Sequence, residues 1–361
     1  MNFAQRIARV RARMETEQID GLALSVGSDL PYLIGYEAMP LERLTMLVLP
    51  RSGDAKLVIP LLEAARVEHQ AELFEIVTWQ ETEDPVALVA SMLAPASRVA
   101  IGDHTWARFV LALQLARPDV AFLPASLVTA PVRMVKAPDE VEVLQRAAIA
   151  VDAVVAEMRN RPFAGRREIE IHRELIERML AHGHQRANFA IVAAGENAAS
   201  PHHEPDERVV ADGDLVLCDL GGTFDRYCSD ITRMFHVGPP SQEVVDAYEV
   251  LVEAHAAGCA AGLVGARCED VDSAARSVIE RYDLGEYFVH RTGHGIGTEA
   301  HEDPYMVAGN LTTIEAGHVF SVEPGIYFPG RFGMRLEDIV VATPNGPLQL
   351  NGAARDIAVV G

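Results

Sequence analysis

Short apolar runs separated by amphipathic stretches fill the first third of the chain. Apolar runs of four or five residues are typical of buried strands, whereas apolar positions spaced by three or four residues are typical of helices. Their alternation predicts an α/β domain over residues 1–134. The predicted strands are Leu22–Val26, Met46–Leu49, Lys56–Ile59, Ile76–Trp79 and Val99–Gly102, and the predicted helices lie near residues 62–71, 84–93 and 105–116.

The length of 361 residues is too great for one compact core and fits two domains, or one domain with a large extension. We predict a second domain over residues 135–361. Pro138 suits the first turn of a helix, and Asp139 and Glu140 suit the positive end of its dipole. The predicted helices cover residues 138–159 and 167–182, a stretch after Ser241, and residues 271–282. Two hairpin-like units are predicted from strands at 215–220, 227–235, 319–322 and 334–342, with turns at 221–222 and 330–333.

Acidic residues interrupt the apolar strands of both hairpin-like units. Asp219 and Asp230 are 11 residues apart across the first turn, and Glu323 and Glu337 are 14 apart across the second. Carboxylates in apolar strands are costly to bury unless they are paired or bind a metal, and four together repel one another without cations. His294 lies between two glycines, which let the backbone approach closely and leave its imidazole free to reach inward.

These five side chains predict a metal centre. Four carboxylates and one imidazole form an oxygen-rich set that favours Mn²⁺, with Co²⁺ or Zn²⁺ as alternatives. Two bridging carboxylates could hold two ions roughly 3.5–4 Å apart, as in two-metal hydrolases. A water bridging the ions would then be acidic enough to attack a carbonyl near neutral pH.

Composition narrows the range of partners and locations. The formal net charge of −21 argues against nucleic acid and anionic membranes. The apolar stretches are too short to span a bilayer, and the four cysteines predict no disulfide framework. The first residues show an amphipathic pattern without a continuous apolar segment. We therefore expect a structural N-terminal helix rather than a signal or targeting peptide, and a cytoplasmic protein.

The five predicted ligands stand in longer motifs, which are Asp219-Leu220-Gly221-Gly222, Ser229-Asp230-Ile231-Thr232-Arg233, Thr292-Gly293-His294-Gly295-Ile296-Gly297, Glu323-Pro324-Gly325-Ile326-Tyr327 and Arg335-Leu336-Glu337-Asp338. With these motifs the chain resembles the "pita-bread" metallopeptidases over nearly its whole length, and among them the Xaa-Pro dipeptidases (prolidases) and aminopeptidases P. The resemblance implies an α/β creatinase-like N-terminal domain followed by an α+β pita-bread catalytic domain.

The resemblance also implies a role for each ligand. Asp219 would bind one metal ion, whereas His294 and Glu323 would bind the other. Asp230 and Glu337 would bridge the two ions.

Further residues are implied as substrate or catalytic residues. His202 would contact the substrate near the metals, although His203 is an alternative. His290 and His301 would be pocket histidines, with His301 contacting the scissile carbonyl, although His290 could instead be structural. Arg335 would organise the metal ligands.

The resemblance implies hydrolysis of the Xaa-Pro bond in dipeptides or short peptides, by a homodimer. Many dipeptidases carry an arginine shortly after the substrate histidine, where it holds the substrate's C-terminal carboxylate. The segment after His301 has none, which favours an aminopeptidase P unless Arg331 substitutes.

Two other functions stay open. A metal-dependent amidohydrolase could use the same centre to cleave a non-peptide C–N bond. A non-catalytic pseudopeptidase could use the fold to bind a protein, but such relatives typically lose ligands, and all five ligand positions are intact here.

Overall fold

The computed structural model describes residues 2–68 and 70–361, which divide into two compact units, Met1–Arg133 and Met134–Gly361. The first unit contains the helices α1 (Phe3–Thr16), α2 (Asp29–Ile34), α3 (Pro85–Met92), α4 (Ala107–Ala116) and α5 (Ser126–Met134), and the strands β1 (Gly21–Leu24), β2 (Met46–Pro50), β3 (Ala55–Pro60), β4 (Phe74–Trp79), β5 (Arg98–Ile101) and β6 (Ala121–Pro124).

A mixed sheet with the strand order β4-β3-β2-β1-β5-β6 forms the middle layer of the first unit. Side chains alternate between the two faces of a strand, so Leu22 and Leu24 of β1 face one side and Ala23 faces the other. The leucines pack in a core with α1, α2 and α5, whereas Ala23 packs in a second core with α3 and α4. The unit is therefore a three-layer structure, and the predicted α/β class is confirmed.

The sequence predictions for the first unit are largely confirmed. All five predicted strands form, the N-terminal helix forms as α1, and the helices near 84–93 and 105–116 form as α3 and α4. The helix predicted at 62–71 is a 3₁₀-helix over Leu61–Arg66, and residue 69 lies outside the described residues. Because Leu61 and Leu62 are exposed, this segment lacks the buried apolar face that stabilises an α-helix.

The second unit contains the sequence motifs of the predicted metal centre. Its helices are α6 (Pro138–Met158), α7 (Glu168–Ala181), α8 (Gln242–Ala261) and α9 (Cys268–Arg281). Its strands are β7 (Arg186–Ala194), β8 (Leu215–Phe224), β9 (Tyr227–Cys228), β10 (Ile231–Val237), β11 (Gly293–Gly295), β12 (Glu302–Met306), β13 (Val319–Val322), β14 (Gly325–Phe328), β15 (Phe332–Arg335), β16 (Asp338–Thr343), β17 (Gly346–Gln349) and β18 (Ala358–Val360). The predicted helices of this unit are confirmed.

Strand β8 lies between β7 and β10 in a sheet of order β18-β10-β8-β7, and β13 lies within a second sheet of order β12-β11-β13-β16-β17. Cys218 and Leu220 on one face of β8 pack in a core with α6 and α7. Leu217, on the other face, packs in a core with α8, α9, β14 and β15. Asp219 shares this face with Leu217 because side chains alternate along the strand.

The first predicted turn is wrong in position, whereas the second overlaps the observed reversal. Strand β8 continues through Gly221 and Gly222, and the chain reverses at Asp225 and Arg226, whose φ angles are 47° and 71°. The glycine at 221 serves packing instead of a turn, because a Cβ there would overlap the backbone oxygen of Ser229. The second reversal lies at residues 329–331, immediately before β15.

Among the described residues, no helix is both long and apolar enough to cross a membrane.

Candidate metal centre

Asp219 and Asp230 come from the hairpin of β8 and β10. Asp219 lies in the middle of β8, directly opposite Thr232. Asp230 immediately precedes β10. Both carboxylates are buried, with 8% and 2% of their surface exposed. The antiparallel pairing thus brings together two acids that are 11 residues apart in the sequence.

Glu323 and Glu337 lie where a pair of strands is interrupted. Strand β13 pairs with β16, and the pairing resumes as β14 with β15. The two glutamates occupy the gap between these paired segments. Glu323 lies between β13 and β14, and Glu337 lies between β15 and β16. Glu337 is 1% exposed, and the side chain of Glu323 is 16% exposed. The interruption allows both side chains to leave the alternation of the sheet and to approach the aspartates.

His294 is held by close backbone packing within β11. A Cβ at Gly293 would overlap Ser321 O, and one at Gly295 would overlap Asp303 O, so only glycine fits on either side. The Nδ1 of His294 lies 3.0 Å from Gly295 O, which leaves Nε2 directed at the acids. Nε2 lies 3.2 Å from Glu323 Oε1 and 3.8 Å from an oxygen of Asp230.

The five side chains form two overlapping groups. One oxygen each of Asp219, Asp230 and Glu337 lies within 4.8 Å of the others, and the same limit holds for His294, Glu323 and Glu337. Glu337 belongs to both groups. Asp230 also meets this limit with His294 and His301. The arrangement offers two neighbouring cation positions that share ligands.

Three buried carboxylate oxygens indicate that cations fit this site. Among the described residues, Asp219 Oδ1, Asp230 Oδ1 and Glu337 Oε1 are buried without a hydrogen-bond partner. Buried carboxylate oxygens without partners are strongly disfavoured unless a cation binds them. The donor set therefore fits divalent cations.

Burial and the neighbouring acids also shift the pKa values of the candidate ligands. Burial raises the pKa of Asp230 well above its ordinary value, and the neighbouring Glu337 and Asp219 raise it further. Burial and Glu323 raise the pKa of Glu337 in the same way. Burial opposes ionisation of Glu323, but the hydrogen bond with His294 and the nearby positive groups together outweigh it and lower its pKa to about 2. Without cations, the centre thus holds more negative charge than its buried environment tolerates.

Arg335 connects the acids to the cavity wall. Its Nη2 donates to Asp219 Oδ2 at 2.5 Å, and its Nε donates to Thr232 Oγ1 at 3.2 Å. Thr232 Oγ1 in turn donates to Glu337 Oε2 at 2.7 Å. Arg335 Nη1 donates to the hydroxyl of Tyr327 at 2.7 Å. One guanidinium therefore orients two of the candidate ligands.

The hydroxyl of Tyr327 extends this chain to His290. It lies 2.9 Å from His290 Nε2, while His290 Nδ1 lies 2.7 Å from Arg291 O. Burial lowers the pKa of His290, so its imidazole stays neutral near pH 7. No sequence signal indicated that the hydroxyl of Tyr327 joins Arg335 to His290.

His202 and His203 lie on a loop that follows the 3₁₀-helix Gly195–Ala199. His202 and Pro201 line the cavity above the acids, whereas His203 Nε2 lies 2.7 Å from Glu168 Oε2. Glu168, His203 and Asp206 form a further acidic and imidazole group, but Glu168 is fully buried and accepts hydrogen bonds from the backbone. The two adjacent histidines thus face different surroundings.

The cavity has a volume of about 570 Å³. The His301 ring lies 3.9 Å from the His294 ring, centroid to centroid. Desolvation and the nearby His294 lower the pKa of His301 to about 4, which keeps it neutral near pH 7. All nine predicted site residues line this cavity, together with Phe189, Ile191, Pro201 and Arg291; the nine are Asp219, Asp230, His294, Glu323, Glu337, His202, His290, His301 and Arg335.

Arg291 is a cavity residue that the sequence did not single out, although it follows His290 directly in the motif region. Arg331, which was considered as a substrate-binding arginine, does not line the cavity. Its Nη2 instead lies 2.6 Å from Glu243 Oε2, and its side chain is 50% exposed.

Two family descriptions match the chain. The description "Creatinase/Prolidase N-terminal domain" matches residues 6–135, and "Metallopeptidase family M24" matches residues 142–344. Together they cover the two compact units almost end to end.

Relatives and solved structures agree with these matches over the full length. The probable dipeptidase PepE of Mycobacterium tuberculosis is 40% identical, across 99% of this chain and 96% of the relative. The crystal structure of dipeptidase PepE from Mycobacterium ulcerans is 42% identical, with a TM-score of 0.92 and coverage of 99% and 98%. A prolidase from Thermococcus sibiricus is 34% identical, with a TM-score of 0.94 and 99% coverage of both chains.

These matches confirm the predicted fold class and the predicted metallopeptidase activity. They also agree with the architecture described above, an α/β unit followed by a unit of helices and mostly antiparallel sheets. The chain belongs to metallopeptidase family M24, with a creatinase-type N-terminal domain and a pita-bread catalytic domain.

Proposed function

We propose that this peptidase hydrolyses the Xaa-Pro bond of short peptides with two divalent metal ions held by Asp219, Asp230, His294, Glu323 and Glu337. The main observation in support is the pair of overlapping ligand groups, in which three buried carboxylate oxygens have no hydrogen-bond partner. The M24 match and the relatives named dipeptidase and prolidase support the same function.

The chain's own residues bind and orient the substrate. The neutral imidazole of His301 can donate a hydrogen bond to the carbonyl oxygen of the scissile bond, and His202 contacts the substrate from the opposite loop. The apolar side chains of Phe189, Ile191 and Pro201 suit a proline ring and exclude water from it.

Arg335 positions the candidate metal ligands, because it binds Asp219 directly and Glu337 through Thr232. When bound, the metal ions supply an acidified water and stabilise the charge that develops on the attacked carbonyl. The oxygen-rich ligand set favours Mn²⁺, with Co²⁺ or Zn²⁺ as alternatives.

The domain boundary at residues 134 and 135, assembly as a homodimer, and a cytoplasmic location remain part of this proposal.

Removal and return of the metal test the proposal. Chelator-treated protein should cleave neither Ala-Pro nor Ala-Pro-Ala, and Mn²⁺ should restore cleavage of at least one. Asp230→Asn should lower kcat/KM by more than about 100-fold even with excess Mn²⁺, because it removes a shared ligand. Glu142→Gln, which changes an exposed acid on α6, is the matched control and should behave as the unmodified protein.

Two outcomes would contradict the proposal. If fully metal-loaded protein cleaves neither peptide, the substrate is another amide, and an amidohydrolase of a non-peptide C–N bond becomes the better explanation. If the protein binds no stoichiometric metal and gains nothing from Mn²⁺, a pseudopeptidase that binds a partner becomes the better explanation.

A further inference from the structure

Arg291 places an unpaired guanidinium in the wall of the cavity. Among residues 2–68 and 70–361, no carboxylate forms an ion pair with its guanidinium and no acceptor receives a hydrogen bond from it. The guanidinium lies over the ring of Tyr305, whose centroid is 4.3 Å from the guanidinium carbon. Arg335, the other arginine of the cavity, is already paired with Asp219.

The backbone of Arg291 is fixed on both sides by helix α9. Asp272 accepts hydrogen bonds from the backbone nitrogen and the hydroxyl of Thr292, both at 2.9 Å. Arg276, paired with Asp272, donates to His290 O at 2.8 Å. The residues before and after Arg291 are thus held by one ion pair, and the ring of Tyr305 supports the guanidinium plane. A binding group fixed in advance loses little entropy when a ligand binds.

An unpaired guanidinium in a binding cavity fits an anionic part of the ligand. Guanidinium binds a carboxylate through two parallel hydrogen bonds, a geometry that lysine cannot reproduce. A dipeptide places its free α-carboxylate on the proline residue itself, beside the scissile bond. A longer peptide has an uncharged amide at that place and its carboxylate farther away.

We propose that Arg291 binds the C-terminal carboxylate of the substrate and thereby selects dipeptides over longer peptides. This proposal rests on the proposed peptidase function. It decides between dipeptides and longer peptides as substrates, a choice that the proposed function leaves open. The sequence favoured an aminopeptidase because no arginine follows His301. In the folded chain, an arginine that precedes His301 by ten positions reaches the same cavity. Arg331 is excluded from this role because it is exposed and paired with Glu243.

Kinetics with Ala-Pro and its C-terminal amide test the proposal. The unmodified protein should prefer the acid over the amide by at least about 30-fold in kcat/KM, the scale for losing one partner of a buried charge pair. Arg291→Gln should raise KM for Ala-Pro by a similar factor, and its loss on the amide should be at least tenfold smaller. Arg291→Lys should fall between the two, because it keeps the charge without the paired geometry. Arg331→Gln, the matched control, should keep the full preference.

The proposal is overturned if the unmodified protein cleaves the acid and the amide equally well, or if Arg291→Gln keeps the preference. It is also overturned if Arg331→Gln removes the preference instead. Thermal unfolding of each variant shows whether a lost activity reflects a lost fold.

A binding measurement separates this proposal from the proposed function. The probe is the Ala-Pro analogue with its peptide carbonyl reduced to methylene, as the acid and as the amide, titrated calorimetrically into the Mn²⁺-loaded protein. If the acid binds tightly, the amide weakly and Arg291→Gln removes the difference, Arg291 recognises the carboxylate even if no Ala-Pro is hydrolysed. If acid and amide bind alike, or neither binds, the proposal is wrong even if peptides are cleaved.

Discussion

The buried acids Asp230 and Glu337 make the metal-free protein less stable at higher pH. Both have pKa values raised well above the ordinary ones, because burial and neighbouring acids disfavour their charged forms. A carboxyl whose pKa is higher in the folded state holds its proton while the unfolded chain has already lost it. Its stabilising contribution is therefore complete below the unfolded pKa and is lost as the pH rises through the folded pKa.

Replacement of Asp230 by asparagine tests this effect. In chelator-treated protein, Asp230→Asn should be more stable than the unmodified protein, and the difference in unfolding free energy should grow as the pH rises above the ordinary aspartate pKa of 3.8. Urea unfolding across the pH range measures it. Asp212→Asn, at an exposed position, should show no growing difference.

Excess Mn²⁺ should reverse the order of stability. The unmodified protein then gains binding free energy that the variant largely lacks, because the cation satisfies the oxygens that have no other partner. A variant that stays less stable than the unmodified protein at every pH without metal would contradict the assigned pKa direction.

Among the secondary-structure elements, the loop that carries Pro201 and His202 depends on helix α7. Glu168, the first residue of α7, is fully buried and accepts hydrogen bonds from the backbone of Ala194 at 2.7 Å and from His203 Nε2 at 2.7 Å. Asn197 donates to both oxygens of the same carboxylate. One carboxylate thus ties the end of β7 to the loop, and Arg335 donates to Pro201 O at 3.3 Å from the other side.

Glu168→Ala should loosen this loop. It leaves several buried donors without an acceptor, which should lower the unfolding free energy by roughly 3 kcal/mol. Activity should fall as well, because His202 is no longer held in the cavity. Denaturant unfolding and steady-state kinetics measure both effects. Glu177→Ala, at an exposed position on the same helix, is the control, and equal losses in the two variants would show that the loop does not depend on Glu168.

Across the whole molecule, all five candidate ligands belong to the second compact unit, residues 134–361. The first unit has its own sheet and its own cores on both faces of that sheet. Metal binding should therefore stabilise the second unit directly and the first unit little.

Hydrogen exchange with and without chelator tests this division. Removal of the metal should speed amide exchange in the segments around β8, β10, β11 and β13 to β16, and leave exchange within residues 1–133 nearly unchanged. Equal loss of protection in both units would show that they unfold as one cooperative body. Exchange unchanged in both would contradict the metal centre itself.

Many elements of this protein could be predicted because their signals are local. Amphipathic periodicity located α6 to α9 and the strands β1 to β5, since the period of apolar residues follows directly from helix and strand geometry. Other elements carried weak or opposing signals. Strand β6 has four residues and ends at Pro124, and α5 contains Pro131, which helix propensity disfavours.

The candidate ligands could also be found from sequence, because an acid in a buried apolar strand is costly without a partner and five such residues stood in recognisable motifs. The contacts that complete the cavity could not be found in this way. The separation of His202 from His203, the link from Arg335 through Tyr327 to His290, and the unpaired guanidinium of Arg291 all depend on residues far apart in sequence. Residue type and spacing thus determined the secondary structure and the kind of chemistry, whereas only long-range packing decided which side chains face the substrate, since a side chain's direction depends on neighbours that folding brings together.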